Sequence, residues 1–364
     1  MNRVHASCKS TLIIAEAGVN HNGSLDMALQ LVDAAKYAGA DVVKFQTFKA
    51  KNIASQKAQK AEYQQRNTKE NSSQYEMLQA LELSDEMHRA ILQRCNEIDI
   101  EFLSTPFDEE SVDYLHTLGI SRMKIPSGEI TNAPLILKIA RTGLPIILST
   151  GMSTMEEIED ALSVIAFGYA DSDIQPSRGM FREALHNQEL RNILQQRVTI
   201  LHCTTEYPTP LEEVNLRAMQ SIGARFNLQF GYSDHTEGVL VPALAVACGA
   251  CVVEKHFTMD KSLPGPDHKA SLTPDQLKIM VQQIRDTEIS LGCVDKQATL
   301  SELKNISVVR KSLVASRDIR LGEAFSSENV SIKRPGTGIS PFEYWNVLGE
   351  IASHPFKKDD LIQR

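Results

Sequence analysis

Residues 228–258 read LQFGYSDHTEGVLVPALAVACGACVVEKHFT. Two short β-rich runs, 228–235 and 251–258, flank a segment, 237–248, whose apolar residues recur at helical spacing. Each run begins apolar and ends on side chains that can ionise, Asp234 and His235 in the first and Glu254 and His256 in the second. Strand, helix and strand in so few residues form the unit of a parallel sheet, because parallel neighbours need a crossover between them.

Working outward, the same unit recurs along the chain. Runs at 11–18 (TLIIAEAG), 41–48 (DVVKFQTF), 101–106 (EFLSTP), 122–129 (RMKIPSGE), 145–152 (PIILSTGM) and 198–207 (VTILHCTTEY) bring the set to eight. Helix-patterned segments at 24–37, 78–96, 154–165 and 274–291 alternate with or follow them. Eight strands alternating with helices predict an α/β fold, a (β/α)8 TIM barrel. A doubly wound open sheet is the structural competitor, but it carries a glycine-rich phosphate loop after its first strand, and GVNHNG at 18–23 does not fit GxGxxG.

A barrel of this kind carries its chemistry at the C-terminal ends of its strands. Polar residues fall late in the runs: Glu16; Lys44 and Gln46; Ser104 and Thr105; Lys124, Ser127 and Glu129; Ser149 and Thr150; His202 and Thr204; Asp234 and His235; Glu254 and His256. Residues two apart on a strand share a face, so Lys44 goes with Gln46 and Glu254 with His256. A charge facing the lumen needs a partner or a ligand. The plainer reading is a buried salt-bridge layer, for instance Lys44 with Glu16. The functional reading joins His235 and His256 on one divalent ion such as Mn²⁺, Co²⁺ or Zn²⁺. Lys44 and Lys124, with the hydroxyls and backbone N–H groups of Ser127, Gly128, Ser149, Thr150 and Gly151, then suit phosphate or carboxylate oxygens. These residues alone predict a metal-assisted enzyme acting on a small phosphorylated anion.

The 364 residues carry 38 Lys and Arg against 46 Asp and Glu, a net charge of −8, which argues against nucleic acid or an anionic membrane as a general partner. No apolar run approaches the roughly 20 residues of a membrane span, and residues 1–10 lack a signal-peptide core, so a cytoplasmic protein is expected. Of six cysteines only Cys248 and Cys251 have redox or zinc spacing; no second pair completes a zinc site, and plain buried thiols are expected. Two long connections interrupt the rhythm, 49–73, expected to be a lid over the site, and 168–196, a lid or an insertion. Beyond 290 the pattern changes to short strand-like pieces at 311–315, 330–333 and 349–352. The expected division is a barrel over 1–290, a linker over 291–305 and a small β-rich domain over 306–364.

The motifs EAGVNHNGS (16–24), VKFQTFKA (43–50), STPFD (104–108), KIPSGE (124–129), ILSTGM (147–152), HCTTEYPTP (202–210), GYSDHT (231–236), EKHFT (254–258), GPDHKASL (265–272) and KRPGTGI (333–339) resemble the sialic acid synthase family, from about residue 11 to the C-terminus. The resemblance implies condensation of phosphoenolpyruvate with N-acetylmannosamine, a barrel followed by an antifreeze-like (SAF, β-clip) domain, and a domain-swapped homodimer. It also implies His235 and His256 as ligands of Mn²⁺ or Mg²⁺, and Lys44, Lys124, Ser127 and Ser149, with Thr105 nearby, as the phosphoenolpyruvate cradle. Gln46, Tyr207 and Asp267 correspond to contacts with the amino sugar, and Arg334 to an arginine offered by the partner's antifreeze-like domain. Glu16, Glu129, Glu254 and Asp267 are the proton-transfer candidates. Thr205 stands where some members have Asn, which bears on sugar selection.

The first expectation is N-acetylneuraminate synthesis. The alternative is N,N'-diacetyllegionaminate synthesis from a 2,4-diacetamido-2,4,6-trideoxymannose acceptor; YPTP and KAEYQ (60–64) are similar to both branches. More distant readings are an aldolase with a Schiff base on Lys44 or Lys124, and a non-catalytic carbohydrate-binding protein.

Overall fold

A computed structural model describes residues 10–60, 64–65, 73–170 and 174–364. The chain divides into two compact units, one ending at Gly292 and one beginning at Cys293. Ala61, Glu62 and Tyr63 of the KAEYQ segment lie outside the described residues, as does part of the expected lid.

In the first unit eight parallel strands form one sheet: β1 (Leu12–Gly18), β2 (Val42–Thr47), β3 (Glu101–Pro106), β4 (Met123–Ile125), β5 (Ile146–Ser149), β6 (Val198–His202), β7 (Gln229–Asp234) and β8 (Val252–His256). Their order is β3-β2-β1-β8-β7-β6-β5-β4, and β3 and β4 lie side by side. The first strand pairs with both the second and the last, as a barrel requires and a doubly wound sheet does not.

Period-two alternation explains which of the late polar residues reach the lumen. Ile14, Val42, Leu103, Ile147, Leu201 and Val252 form an apolar cluster of their own inside the barrel. Two residues further along the same faces come Glu16, Lys44, Thr105, Ser149, Cys203 and Glu254. The intervening residues, such as Ile13, Ala15, Val43, Phe45 and Val253, point outward and pack into the main core under the helices. Helix starts follow local capping chemistry: Ser24 caps Leu25–Ala38, and Thr154 with Glu157 forms a capping box for Met155–Tyr169.

Three segments differ from expectation. The periodic stretch 78–96 is two helices, Gln74–Ala80 and Asp85–Glu97, because Ser84 caps the second and Glu82 turns to accept from the Ala50 backbone N–H. The expected loop 168–196 contains helices Arg178–His186 and Gln188–Arg197, started by the Ser177 and Asn187 side chains, so its described part is scaffold. Cys248 and Cys251 are free and half-buried rather than buried.

In the second unit Ser312–Ala315 pairs antiparallel with Val330–Lys333 around a small core that includes Leu313, Phe325, Val347 and Phe356. The segment expected as linker holds the start of a helix, Leu300–Val309, nucleated by a Thr299/Glu302 capping box that turn-like spacing did not suggest. The piece at 349–352 contributes a single bridge, Ile351 to Ala324. Among the described residues no helix is long and apolar enough to cross a membrane.

Candidate active site

Two lysines and two glutamates meet in the lumen above the apolar layer. Lys124 Nζ donates to both oxygens of Glu254 at 2.9 Å, and Ser233 Oγ donates to Oε1 at 2.9 Å. Lys44 Nζ lies 2.9 Å from Glu16 and 3.4 Å from Glu254, and it donates to Thr105 Oγ1 at 3.0 Å. The salt-bridge layer therefore exists, and it forms the floor of a cavity of about 420 Å³ that opens at the strands' C-terminal ends. Glu129, Ser149, Thr205, Tyr207, His235, His256 and Asp267 also line it.

Burial and charge drive the two glutamates apart. Burial raises the Glu254 carboxyl, but Lys124 and Lys44 outweigh it and hold the group well below the usual carboxylate range. Glu16 is pushed up to about 7 by burial, against the pull of Lys44. Near neutral pH one carboxyl is thus fixed as an anion while the other can hold or release a proton, the division of labour that acid–base chemistry needs. Burial alone raises Asp267 to about 6.

At the lumen edge His235 and His256 sit with ring centroids 5.7 Å apart. The His235 Nδ1–H donates to the Thr204 carbonyl at 2.6 Å, which leaves the Nε2 lone pair free to accept, here facing Tyr207 OH at 3.2 Å. Burial lowers His235 to about 4 and drives His256 far below its ordinary value. His256 Nδ1 is buried with no partner among the described residues. Two neutral imidazoles, one with its tautomer fixed by a carbonyl, could hold a divalent metal. Among the described residues no group of three or more His, Cys, Asp or Glu forms a metal cage. Such a donor set suits a first-row transition ion better than Mg²⁺, which prefers oxygen.

Hydroxyls of Ser127, Ser149 and Thr205 line the same cavity. Among the described residues Ser149 Oγ and Thr205 Oγ1 are buried without partners, while Ser127 Oγ accepts from the Gly151 N–H at 2.9 Å. A Cβ on Gly151 would stand 2.3 Å from Thr205 Oγ1, so only glycine brings these hydroxyls together. Buried hydroxyls without partners are costly unless a ligand uses them.

The cavity unites the barrel residues that the resemblance implied, but not all the late polar ones: Thr150 Oγ1 donates to the Leu201 carbonyl at 3.0 Å, Ser104 pairs with Thr47, His202 faces the Val214 carbonyl, and Thr150, Gly151, Thr204 and Asp234 are not among its lining residues. Gln46 Nε2 donates to Glu16 at 3.4 Å, Tyr207 stacks on His235 at 4.1 Å, and Glu129, half-buried at the rim, accepts from Asn132 at 2.7 Å. Arg334 belongs to the second unit, where it is exposed and donates from Nε to the Val309 carbonyl at 3.0 Å. Sequence reasoning missed Ser233 and Cys203 as site-builders and named Thr204 only for its side chain, whereas its carbonyl holds His235; the i, i+2 spacing of Ser233 and His235 was the available signal.

A family model described as the NeuB family matches residues 31–296, and the SAF domain matches residues 310–364. An N,N'-diacetyllegionaminic acid synthase of Campylobacter jejuni is 51% identical, covering 98% of this chain and 99% of its own. A synthase of the same acid from Legionella pneumophila is 49% identical, covering 95% and 92%. The solved structure of an N-acetylneuraminic acid synthetase from Leptospira borgpetersenii, in complex with citrate, aligns with a TM-score of 0.66 at 30% identity, over 82% of this chain and 90% of that one. A parallel barrel with an acid–base lumen, followed by a SAF domain, defines an enzyme of the nonulosonate synthase class. The chain belongs to the NeuB family.

Proposed function

We propose that the chain is an N,N'-diacetyllegionaminate synthase, joining phosphoenolpyruvate, 2,4-diacetamido-2,4,6-trideoxymannose and water to give the nine-carbon acid and inorganic phosphate. The observation that carries the acceptor is the full-length similarity to two synthases of that acid at 51% and 49%. N-acetylmannosamine, the first expectation from the motifs, takes second place.

In this reading Lys44, Lys124, Ser127, Ser149 and Thr205 hold the phosphate and carboxylate of phosphoenolpyruvate, with Thr105 bracing Lys44. His235 and His256 hold Mn²⁺, which when bound supplies a Lewis acid for the acceptor aldehyde. The methylene carbon of phosphoenolpyruvate forms a bond to the aldehyde carbon, the carbonyl π pair moves onto oxygen, and Glu16 delivers a proton to that oxygen. Positive charge then develops at the enol carbon, which the Glu254 carboxylate stabilises. Water adds at this carbon and returns a proton to Glu16. The tetrahedral species then breaks its bond to the phosphate oxygen, and its hydroxyl proton leaves with phosphate. Gln46, Tyr207 and Asp267 orient the acceptor, and Glu129 guards the rim.

Phosphate release measured with N-acetylmannosamine, the diacetamido-trideoxymannose and the pseudaminate precursor tests the assignment. The highest kcat/KM is expected with the second sugar, by a factor of about 10 or more, since a site built to pair a substrate's polar groups rejects analogues lacking them. A preference for N-acetylmannosamine would overturn it.

The reading includes a domain-swapped homodimer in which Arg334 of one copy serves the acceptor bound in the other. Mixing Glu16→Gln with Arg334→Ala chains is expected to restore about a quarter of wild-type activity, since random exchange makes half the dimers mixed and each mixed dimer has one intact site. No recovery after subunit exchange would contradict the swap.

A further inference from the structure

Each metal-binding histidine follows a charged residue of opposite sign, Asp234 before His235 and Lys255 before His256. Strand alternation sends the histidines, Ser233 and Glu254 into the lumen, where they line the cavity, and turns Asp234 and Lys255 to the outer face. There both side chains are completely buried. Lys255 Nζ lies 2.5 Å from Asp234 Oδ2 and donates to the Thr236 carbonyl at 2.7 Å, while the Thr236 N–H donates to Asp234 Oδ1 at 2.9 Å. Asp234 and Lys255 are also register partners on β7 and β8.

Stability does not explain this pair. Taking two ions out of water costs several kcal/mol for each, and well-packed apolar residues of similar volume usually serve the fold as well or better. Apolar residues would lack direction. The three bonds fix where the chain leaves β7, on either side of His235, and tie that point to the residue before His256. His235 has a second restraint, its bond to the Thr204 carbonyl. Among the described residues His256 has no such bond at Nδ1, and beyond ring contacts with Tyr207 at 5.6 Å and His235 at 5.7 Å it relies on the placement of β8.

We propose that the Asp234–Lys255 pair positions the two metal-binding histidines, acting from the outer face of the sheet without touching metal or substrate. The inference rests on the two-histidine metal reading. The test is Mn²⁺ binding by calorimetry to the full-length, EDTA-stripped protein, with melting temperature measured alongside. The double variant Asp234→Val/Lys255→Met is expected to melt within a few degrees of wild type yet bind Mn²⁺ about 10- to 100-fold more weakly, the range seen when groups that orient metal ligands are removed. Mn²⁺ affinity equal to wild type would overturn the proposal. If the apolar pair does not fold, Asp234→Asn/Lys255→Gln takes its place, with an expected weakening of about threefold or more, and unchanged affinity again overturns it. A wild-type chain that binds no Mn²⁺ would bring down the metal reading itself, whereas normal binding by wild type and variants alike would bring down only the positioning role.

Discussion

The lumen holds two layers that share their strands and differ in chemistry. The lower, Ile14, Val42, Leu103, Ile147, Leu201 and Val252, is entirely apolar. The upper, about 6.6 Å further along the strands, holds Glu16, Lys44, Thr105, Ser149, Cys203 and Glu254. The lower layer closes the barrel by packing. The upper is held by ion pairs whose desolvation cost makes them poor stabilisers and good reagents. A barrel can thus change its chemistry at one height while keeping its core at another, and substitutions in the two layers should fail in different ways.

The largest effect is expected in and just above the upper layer. Glu16→Gln and Asp267→Asn should each lower kcat by about 100-fold or more, with much smaller changes in KM and little change in melting temperature. Steady-state kinetics with both substrates checks this, and unchanged turnover in both variants would remove Glu16 from proton transfer and Asp267 from orienting the acceptor. Leu103→Ala, in the lower layer, should cost about 2–5 kcal/mol of stability by urea titration, while the folded fraction keeps its KM. Loss of activity at wild-type stability there would mean that the layers are not separable.

Acid stability offers a third, smaller contrast. Burial lowers His21 to about 4, against 6.5 for a free imidazole. The unfolded chain therefore takes up a proton before the folded one, and stability present above pH 6.5 is lost as pH falls from 6.5 towards 4. That shift is worth about 3 kcal/mol. Glu16 works in the opposite sense: its raised value means that its contribution is lost as pH rises from 4.5 to about 7. His21→Asn should flatten the acid limb of a stability–pH curve relative to wild type; an unaltered limb would refute the assignment. The smallest effect is Thr205→Val, which removes a buried hydroxyl that has no partner among the described residues. Stability should hold or rise by about 1 kcal/mol while KM for phosphoenolpyruvate increases severalfold.

Much of this arrangement was legible in the sequence because alternation along a strand is a strong constraint. Once 41–48 is read as a strand, Val42, Lys44 and Gln46 must share a face, and the same reasoning unites Glu254 with His256. Pairing was less legible. Nothing local shows that Lys124 would take Glu254, 130 residues away, or that Lys44 would bridge both glutamates. The helices at 178–186 and 188–197 were hidden by mixed charge, since their starts depend on single capping residues. The role of Thr204 lies in its backbone carbonyl, on which the side-chain pattern is silent.

In the proposed reaction the upper layer drives attack by the phosphoenolpyruvate carbon and then water addition at the enol carbon. Phosphoenolpyruvate labelled with ¹⁸O in the bridging oxygen tests it most directly, with both products read by mass spectrometry. The label is expected to depart entirely with inorganic phosphate, because the carbon–oxygen bond breaks. Label retained in the sugar acid would show phosphorus–oxygen cleavage and contradict it.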